Sequence, residues 1–353
     1  MNHNKPFALC TLFNSMYLDK GIVLYQSLEK VSTSFRLYVL AMDDKCYDIL
    51  SDLAFDYLVP IRLSDFENED LLEVKANRSF GEYCFTCSSS LIKYILDTYE
   101  PDYCAYIDAD MKFYGDPITI IEELEEKNAS VSIVGHRFGW YAKKSADIIG
   151  TFCVECNVFK NDEKARKLLG VWIGQCMEDC SKKNDGIHYG DQKYLDNWVI
   201  DYNFVIETDN LGAGIAPWNI PQYKLVEAND EVIKVKCRDK VYNTLFYHFE
   251  GITYESPTEA DIHIYSRWGI DDKLVGIYYK PYLKEIYAAN RMIREKYGIE
   301  IIIKHHPAIQ QKGRVEIIAQ KIKYVLSCGI IGLLFHVIPR ALYQKKDKMS
   351  IEF

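Results

Sequence analysis

Apolar and polar positions alternate along the chain with two periods. Strand-length apolar runs at Phe7–Phe13, Phe35–Ala41, 57–63 and Tyr103–Ile107 are separated by amphipathic stretches at Leu18–Val31, 46–53 and 88–98. Those stretches repeat about every 3.6 residues, as helices do. Such β-α-β alternation predicts an α/β fold, Rossmann-like, with a mostly parallel sheet flanked by helices on both faces. Ligands of such sheets collect beyond the carboxyl ends of the strands.

The second half is less regular. Residues 130–134 and 153–159 read as strands, 163–179 as a long helix, 191–198 as a short one, and the Gly/Pro-rich stretch 210–221 as a loop. An apolar run, 245–249, carries His248, and 281–297 reads as a helix with Pro281 in its first turn and Gly298 as its stop. These patterns divide the chain into a main unit over 1–255, a helical extension over 256–300 and a tail over 301–353.

Composition changes the picture at the tail. The 353 residues carry a net charge of −9, which argues against a nucleic-acid partner. Residues 301–353 nevertheless hold nine Lys/Arg against three acids. Within them 324–338 is mostly apolar and flanked by Lys321, Lys323, Arg340, Lys345 and Lys346. This reads as a basic amphipathic helix lying on an anionic membrane, with a C-terminal helix packed on the body as the alternative. The polar start, Met1 to Lys5, has no apolar leader pattern. The expected location is cytoplasmic, peripheral on the inner face of the plasma membrane. The eleven cysteines then read as reduced thiols, including the pairs Cys84/Cys87 and Cys153/Cys156, whose contexts are element interiors and not zinc-binding turns.

Candidate chemistry begins where an apolar strand ends in Asp108-Ala109-Asp110. A strand exit delivers two carboxylates to the sheet edge, where both can face one hard cation, and a cation held there neutralises a diphosphate. Asp-x-Asp also caps turns. His248, followed by Phe249-Glu250-Gly251, can complete such a site with an imidazole, while Gly251 allows close backbone approach. A core histidine is the plainer alternative. Gly190-Asp191-Gln192 opens a predicted helix, so Asp191 also reads as an N-cap. The chain has no G-x-G-x-x-G after the first strand, no P-loop, no G-x-S-x-G and no H-E-x-x-H, which removes dinucleotide enzymes of that type, P-loop kinases, α/β-hydrolases and zincins.

Asp108-Ala109-Asp110, Gly190-Asp191-Gln192, the Gly-rich Gly212 to Asn219 and His248-Phe249-x-Gly251 come in the order found in GT-A-fold glycosyltransferases. The set resembles glycosyltransferase family eight and related bacterial surface-polysaccharide transferases, over about residues 5–255. The resemblance implies that Asp108, Asp110 and His248 bind Mn²⁺ or Mg²⁺, with Asp108 also reaching the nucleotide ribose. It implies that Asp191 and Gln192 are the catalytic pair, Asp191 binding sugar hydroxyls and Gln192 lying near the β-face of the transferred sugar, and that Thr11, Asn14, Asp43 and Asp44 hold the nucleoside. It further implies a UDP-sugar donor, hexose transfer with retention, and a lipid-linked or growing cell-surface glycan as acceptor. One departure stands out: the lysine that usually follows His-Phe-x-Gly is absent, since Gly251 leads into Ile252-Thr253-Tyr254. Arg78, Lys93 and Arg137 are the cations considered in its place. The alternatives are a sugar nucleotidyltransferase, against which the loop 10–21 carries only Lys20, and a non-catalytic membrane-bound adaptor. Trp140, Trp218 and Trp268 are candidates for stacking on sugar.

Overall fold

The computed structural model describes residues 5–139, 142–183, 185–229, 232–256, 259–262, 264, 270–303 and 348–350. The apolar tail segment 324–338, Trp140 and Trp268 lie outside them.

The first half of the chain winds a parallel sheet. Strand β1 (Phe7–Phe13) leads through α1 (Leu18–Val31) to β2 (Phe35–Ala41), then through α2 (Asp44–Leu53) to β3 (Leu58–Arg62). Short helices α3 (Leu63–Phe66) and α4 (Glu69–Lys75) precede the long α5 (Phe80–Thr98), which returns to β4 (Tyr103–Ile107). β1 pairs in parallel with β2 on one side and β4 on the other. The chain thus winds outward from β1 and then restarts on its other flank, and this switch point opens a crevice at the carboxyl edge. β1 is buried on both faces, which is why it reads as a continuous apolar run. Phe7, Leu9 and Phe13 face one core, shared with α1; Ala8, Cys10 and Leu12 face the other, shared with α5.

Beyond β4 the order changes. After β5 (Met111–Phe113) and α6 (Ile118–Glu126) come β6 (Val131–Gly135), α7 (Lys143–Ile149), β7 (Phe152–Lys160) and α8 (Glu163–Glu178). α9 (Trp198–Asp201) and β8 (Val205–Glu207) complete the main sheet, in the order β3-β2-β1-β4-β7-β6-β8. The sheet is mostly parallel, but β7 runs antiparallel to both β4 and β6. A three-stranded meander follows, β9 (Tyr223–Ala228), β10 (Ile233–Cys237) and β11 (Lys240–Asn243), which the sequence pattern did not announce.

β12 (Phe246–His248) pairs antiparallel with β5, placing His248 opposite Met111. β13 (Thr253–Ser256), β14 (Glu259–Asp261) and α10 (Asp272–Tyr297) end the body, and β15 (Lys348–Ser350) pairs with β14. That last stretch of the tail therefore returns to the body. No described helix is long and apolar enough to cross a membrane.

Three boundaries differ from expectation for identifiable reasons. α5 starts at Phe80, well before 88, because Ser79 and Glu82 form a capping box. α10 starts at Asp272, capped by Asp271, so Pro281 sits inside a 26-residue helix and not in its first turn. Its buried stripe of Tyr278, Tyr279, Tyr282, Ile286 and Ile293 joins the α1 core, and this packing outweighs the hydrogen bond that proline removes. The stretch 191–198 forms a 3-10 turn, Lys193–Leu195, followed by α9.

Candidate active site

β4 is buried throughout, and the chain leaves it at Asp108 on the carboxyl edge beside the switch point. The Asp108 N–H donates to the Glu155 carbonyl at 3.2 Å, extending the β4–β7 ladder by one residue. Asp110 then enters β5, and its carbonyl accepts from the Phe249 N–H at 2.8 Å. The strand leaving the two acids is therefore the one that β12 pairs with, so a residue 138 positions after Asp110 is delivered to it. The segment 212–218 holds β12 from its other side: Leu245 N–H donates to the Gly212 carbonyl and His248 N–H to the Ile215 carbonyl.

His248 Nε2 lies 3.1 Å from Asp110 Oδ1 and 3.7 Å from Asp108 Oδ2. Its Nδ1 lies 2.8 Å from Oε2 of Glu155, a carboxylate with no exposure to solvent. The Trp218 ring meets the imidazole edge-on at 5.3 Å, and its Nε1 donates to the His136 carbonyl. Trp218 is buried, so it walls the site and offers no open face for stacking. Donor atoms of Asp108, Asp110 and His248 all lie within 4.8 Å of one another, and those of Cys153, Glu155 and His248 do so as well. Two carboxylates and an imidazole suit Mg²⁺ or Mn²⁺, and ligands in adjacent positions around such an ion stand about 3 Å apart. The three donors therefore fit a hard divalent ion.

The electrostatics are those of crowded acids. Recess from solvent, with the neighbouring charges of Asp110, Asp191 and Glu155, pushes Asp108 up to about 7 against the pull of His248. Burial also opposes ionisation of Asp110, but His248 and Lys20 overcome it and hold Asp110 at about 2. Burial works against the charge on His248, yet Asp110, Cys153 and Glu155 raise it well above the usual range. His136 is pushed down to about 3 by burial and stays neutral.

Asp191 is buried near this cluster. Its carboxylate accepts from Ser88 Oγ on α5 at 2.6 Å, its carbonyl accepts from Trp172 Nε1 at 2.9 Å, and burial pushes it up to about 6. The Gln192 amide donates to the Ile149 carbonyl at the end of α7. Thr11 is fully buried with an unpartnered hydroxyl. Asn14 caps the 3-10 turn Ser15–Tyr17, and Asp43 accepts from Ser15 N–H and Oγ and from Cys46 N–H. Asn14 and Asp43 are occupied in shaping the loop after β1. Asp44 points to solvent and pairs with Arg62. Gly251 takes a φ of +81° in the turn after β12, a conformation that favours glycine.

Among the described residues none of the three cations considered for the missing lysine pairs with Asp108 or Asp110. Arg78 donates to the Cys176 and Met177 carbonyls, closing the C-terminal end of α8. Lys93 pairs with Asp97, which also binds Arg166. Arg137 Nη2 donates to the carbonyls of Ala213 and Gly214, while Nε and Nη1 have no partner among the described residues. Two other groups meet the cluster, Lys20 of the segment 10–21 and Glu155. Lys20, buried in the first turn of α1, has Nζ 4.1 Å from the Tyr17 ring and senses the charge of Asp110. Glu155 lies in the apolar run 153–159, where a lone acid among strand residues was the available signal. Among the described residues Cys84/Cys87 and Cys153/Cys156 form no common cluster, the first pair lying on α5 and the second on β7.

No family model matches the chain. It is 28% identical over 280 residues to the uncharacterized protein YfnD of Bacillus subtilis (strain 168), covering 78% of this chain and 88% of that one. Among solved structures, galactosyltransferase LgtC in complex with donor and acceptor sugar analogs aligns at a TM-score of 0.48 and 15% identity, over 80% of this chain and 95% of that one. Mouse xyloside xylosyltransferase 1 aligns at 0.46 and 11%, over 70% and 98%.

Proposed function

We propose that the chain is a metal-assisted glycosyltransferase that takes a nucleotide-sugar as donor. One observation carries this reading: Nε2 of His248 converges on the carboxylates of Asp108 and Asp110 at the carboxyl edge, beside the switch point of an α/β sheet. A pocket for a hard cation in that place answers the main electrostatic problem of glycosyl transfer, because breaking the anomeric bond leaves extra negative charge on a diphosphate. An ion held by Asp108, Asp110 and His248 would supply the charge that stabilises the departing diphosphate. Lys20 adds a buried positive charge behind Asp110. Asp191, steadied by Ser88 and Trp172, offers a carboxylate to sugar hydroxyls.

UDP as the nucleotide, a hexose as the group moved, retention of configuration and a surface-glycan acceptor rest on the resemblance of the motifs. A sugar nucleotidyltransferase is disfavoured by the loop after β1. That loop is closed by Asn14 and Asp43, and the one lysine of residues 10–21, Lys20, is buried in the first turn of α1.

The test incubates full-length protein with a panel of UDP-sugars and Mn²⁺ and follows release of UDP. Release that EDTA abolishes, and that Asp110→Asn lowers by about 100-fold or more, supports the reading. Equal, metal-independent release from both proteins overturns it, and turnover of nucleoside triphosphate with sugar phosphate replaces it with the nucleotidyltransferase.

A further inference from the structure

Glu155 is an acid in the middle of a sheet. Its side chain has no solvent exposure, and among the described residues its one ion-pair partner is His248. Among the described residues its Oε1 has no hydrogen-bond partner. Burying a carboxylate this way is costly unless a specific group meets it. The fold also makes room for it: Gly214 has a φ of +77°, and a Cβ there would stand 2.4 Å from Glu155 Oε1.

The same residue touches two of the three metal-binding positions. Its carbonyl accepts from Asp108 N–H, fixing where the strand releases the first acid, and its side chain meets Nδ1 of His248. A neutral imidazole carries one proton, on either nitrogen, and only the bare nitrogen can ligate. A carboxylate accepts and does not donate, so when an ion takes the place of the Nε2 proton between Asp108 and Asp110, Glu155 keeps the remaining proton on Nδ1 and leaves the Nε2 lone pair to the ion. The Trp218 edge limits rotation of the ring.

We propose that Glu155 is the positioning residue of the candidate metal centre, holding His248 in the Nδ1–H tautomer and in the ring orientation that presents Nε2 to the ion. This rests on the metal-binding reading given above. Partners of this kind contribute roughly 10–100-fold to metal affinity.

The experiment uses the full chain, labelled with ¹⁵N-histidine, as wild type and as Glu155→Gln, with His248→Ala to assign the resonance. Mn²⁺ affinity is measured by the EPR signal of the free ion. The ring nitrogens are read by NMR with Mg²⁺ in place of Mn²⁺, and folding is checked by circular dichroism. The expected result is a wild-type His248 protonated at Nδ1, with the proton far downfield. In Glu155→Gln that resonance moves, and Mn²⁺ binds roughly 10–100-fold more weakly in a folded protein. Equal affinity and an unmoved resonance in the variant overturn the proposal while leaving the metal centre intact. Absence of Mn²⁺ binding to the wild type, with and without UDP, overturns the metal centre itself. Should Glu155→Gln fail to fold, the wild-type spectrum decides: a Mg²⁺-loaded His248 protonated at Nε2 contradicts the proposal.

Discussion

At the scale of single residues, the molecule concentrates buried acids at its carboxyl edge, and each has a pH consequence. Asp19, in the first turn of α1, accepts from the Tyr254 hydroxyl, and burial pushes it up to about 6. A folded-state value raised above the unfolded one means that its contribution is fully present below about pH 4 and is lost as pH rises through about 6. Asp19→Asn removes that dependence, so thermal melts should show the variant gaining on the wild type between about pH 4 and 6, by up to about 3 kcal/mol. A constant difference in stability across that window contradicts the assignment.

Asp191 makes a second case. Burial places it at about 6. With saturating Mn²⁺ keeping the ligands ionised, kcat/KM should fall as pH drops through about 6, because a protonated Asp191 accepts poorly from sugar hydroxyls. Asp191→Asn should lose roughly 10–100-fold in kcat/KM at neutral pH. A flat profile from pH 5 to 8 in the wild type removes Asp191 from the chemistry. Residues such as Asp108 and Asp110 were legible in the sequence because a buried strand ends on them. The partners that engage Gln192, Asp44 and Arg78 were not legible, because a sequence gives no sign of which backbone carbonyl or neighbouring ion a side chain meets.

At the scale of elements, the site depends on close approach. Gly21 lets α1 lie against β1: a Cβ there would stand 2.3 Å from Cζ of the buried Phe13 ring. Gly21→Ala should therefore destabilise the fold by about 1–3 kcal/mol in denaturant titrations, although alanine favours helices. An unchanged or raised midpoint would show that the packing relaxes freely. Gly214→Ala should cost both stability and metal affinity, since its φ of +77° strains any L side chain and its methyl would press on Glu155 Oε1 and on Val134. It is expected to weaken Mn²⁺ binding by about tenfold or more, and an unchanged affinity argues against that crowding.

The helix–strand alternation of the first half was readable because each element buries a full face and its period is clean. α10 was misplaced because proline suggests a start, whereas the tyrosine stripe that overrides it becomes meaningful only against α1. The antiparallel insertion of β7 leaves no trace in an apolar run, since a strand buried on both faces looks the same in either direction.

At the scale of the whole molecule, the arrangement explains how distant segments make one site. The parallel half supplies β4 and its two acids, while the β5–β12 ribbon returns from the far side of the meander with an imidazole. β7, next to β4 in the main sheet, adds Glu155 against the imidazole. The order of motifs along the chain made the acids and His248 legible as one group, whereas their support from Glu155, Trp218 and Gly214 emerges only from the packing. The most direct measurement is anomalous diffraction from crystals grown with Mn²⁺ and UDP. The account predicts a single strong manganese peak in bonding contact with Asp108, Asp110 and Nε2 of His248, with the diphosphate against its open side. A manganese peak elsewhere, or UDP bound with no ion between it and these three residues, would contradict it.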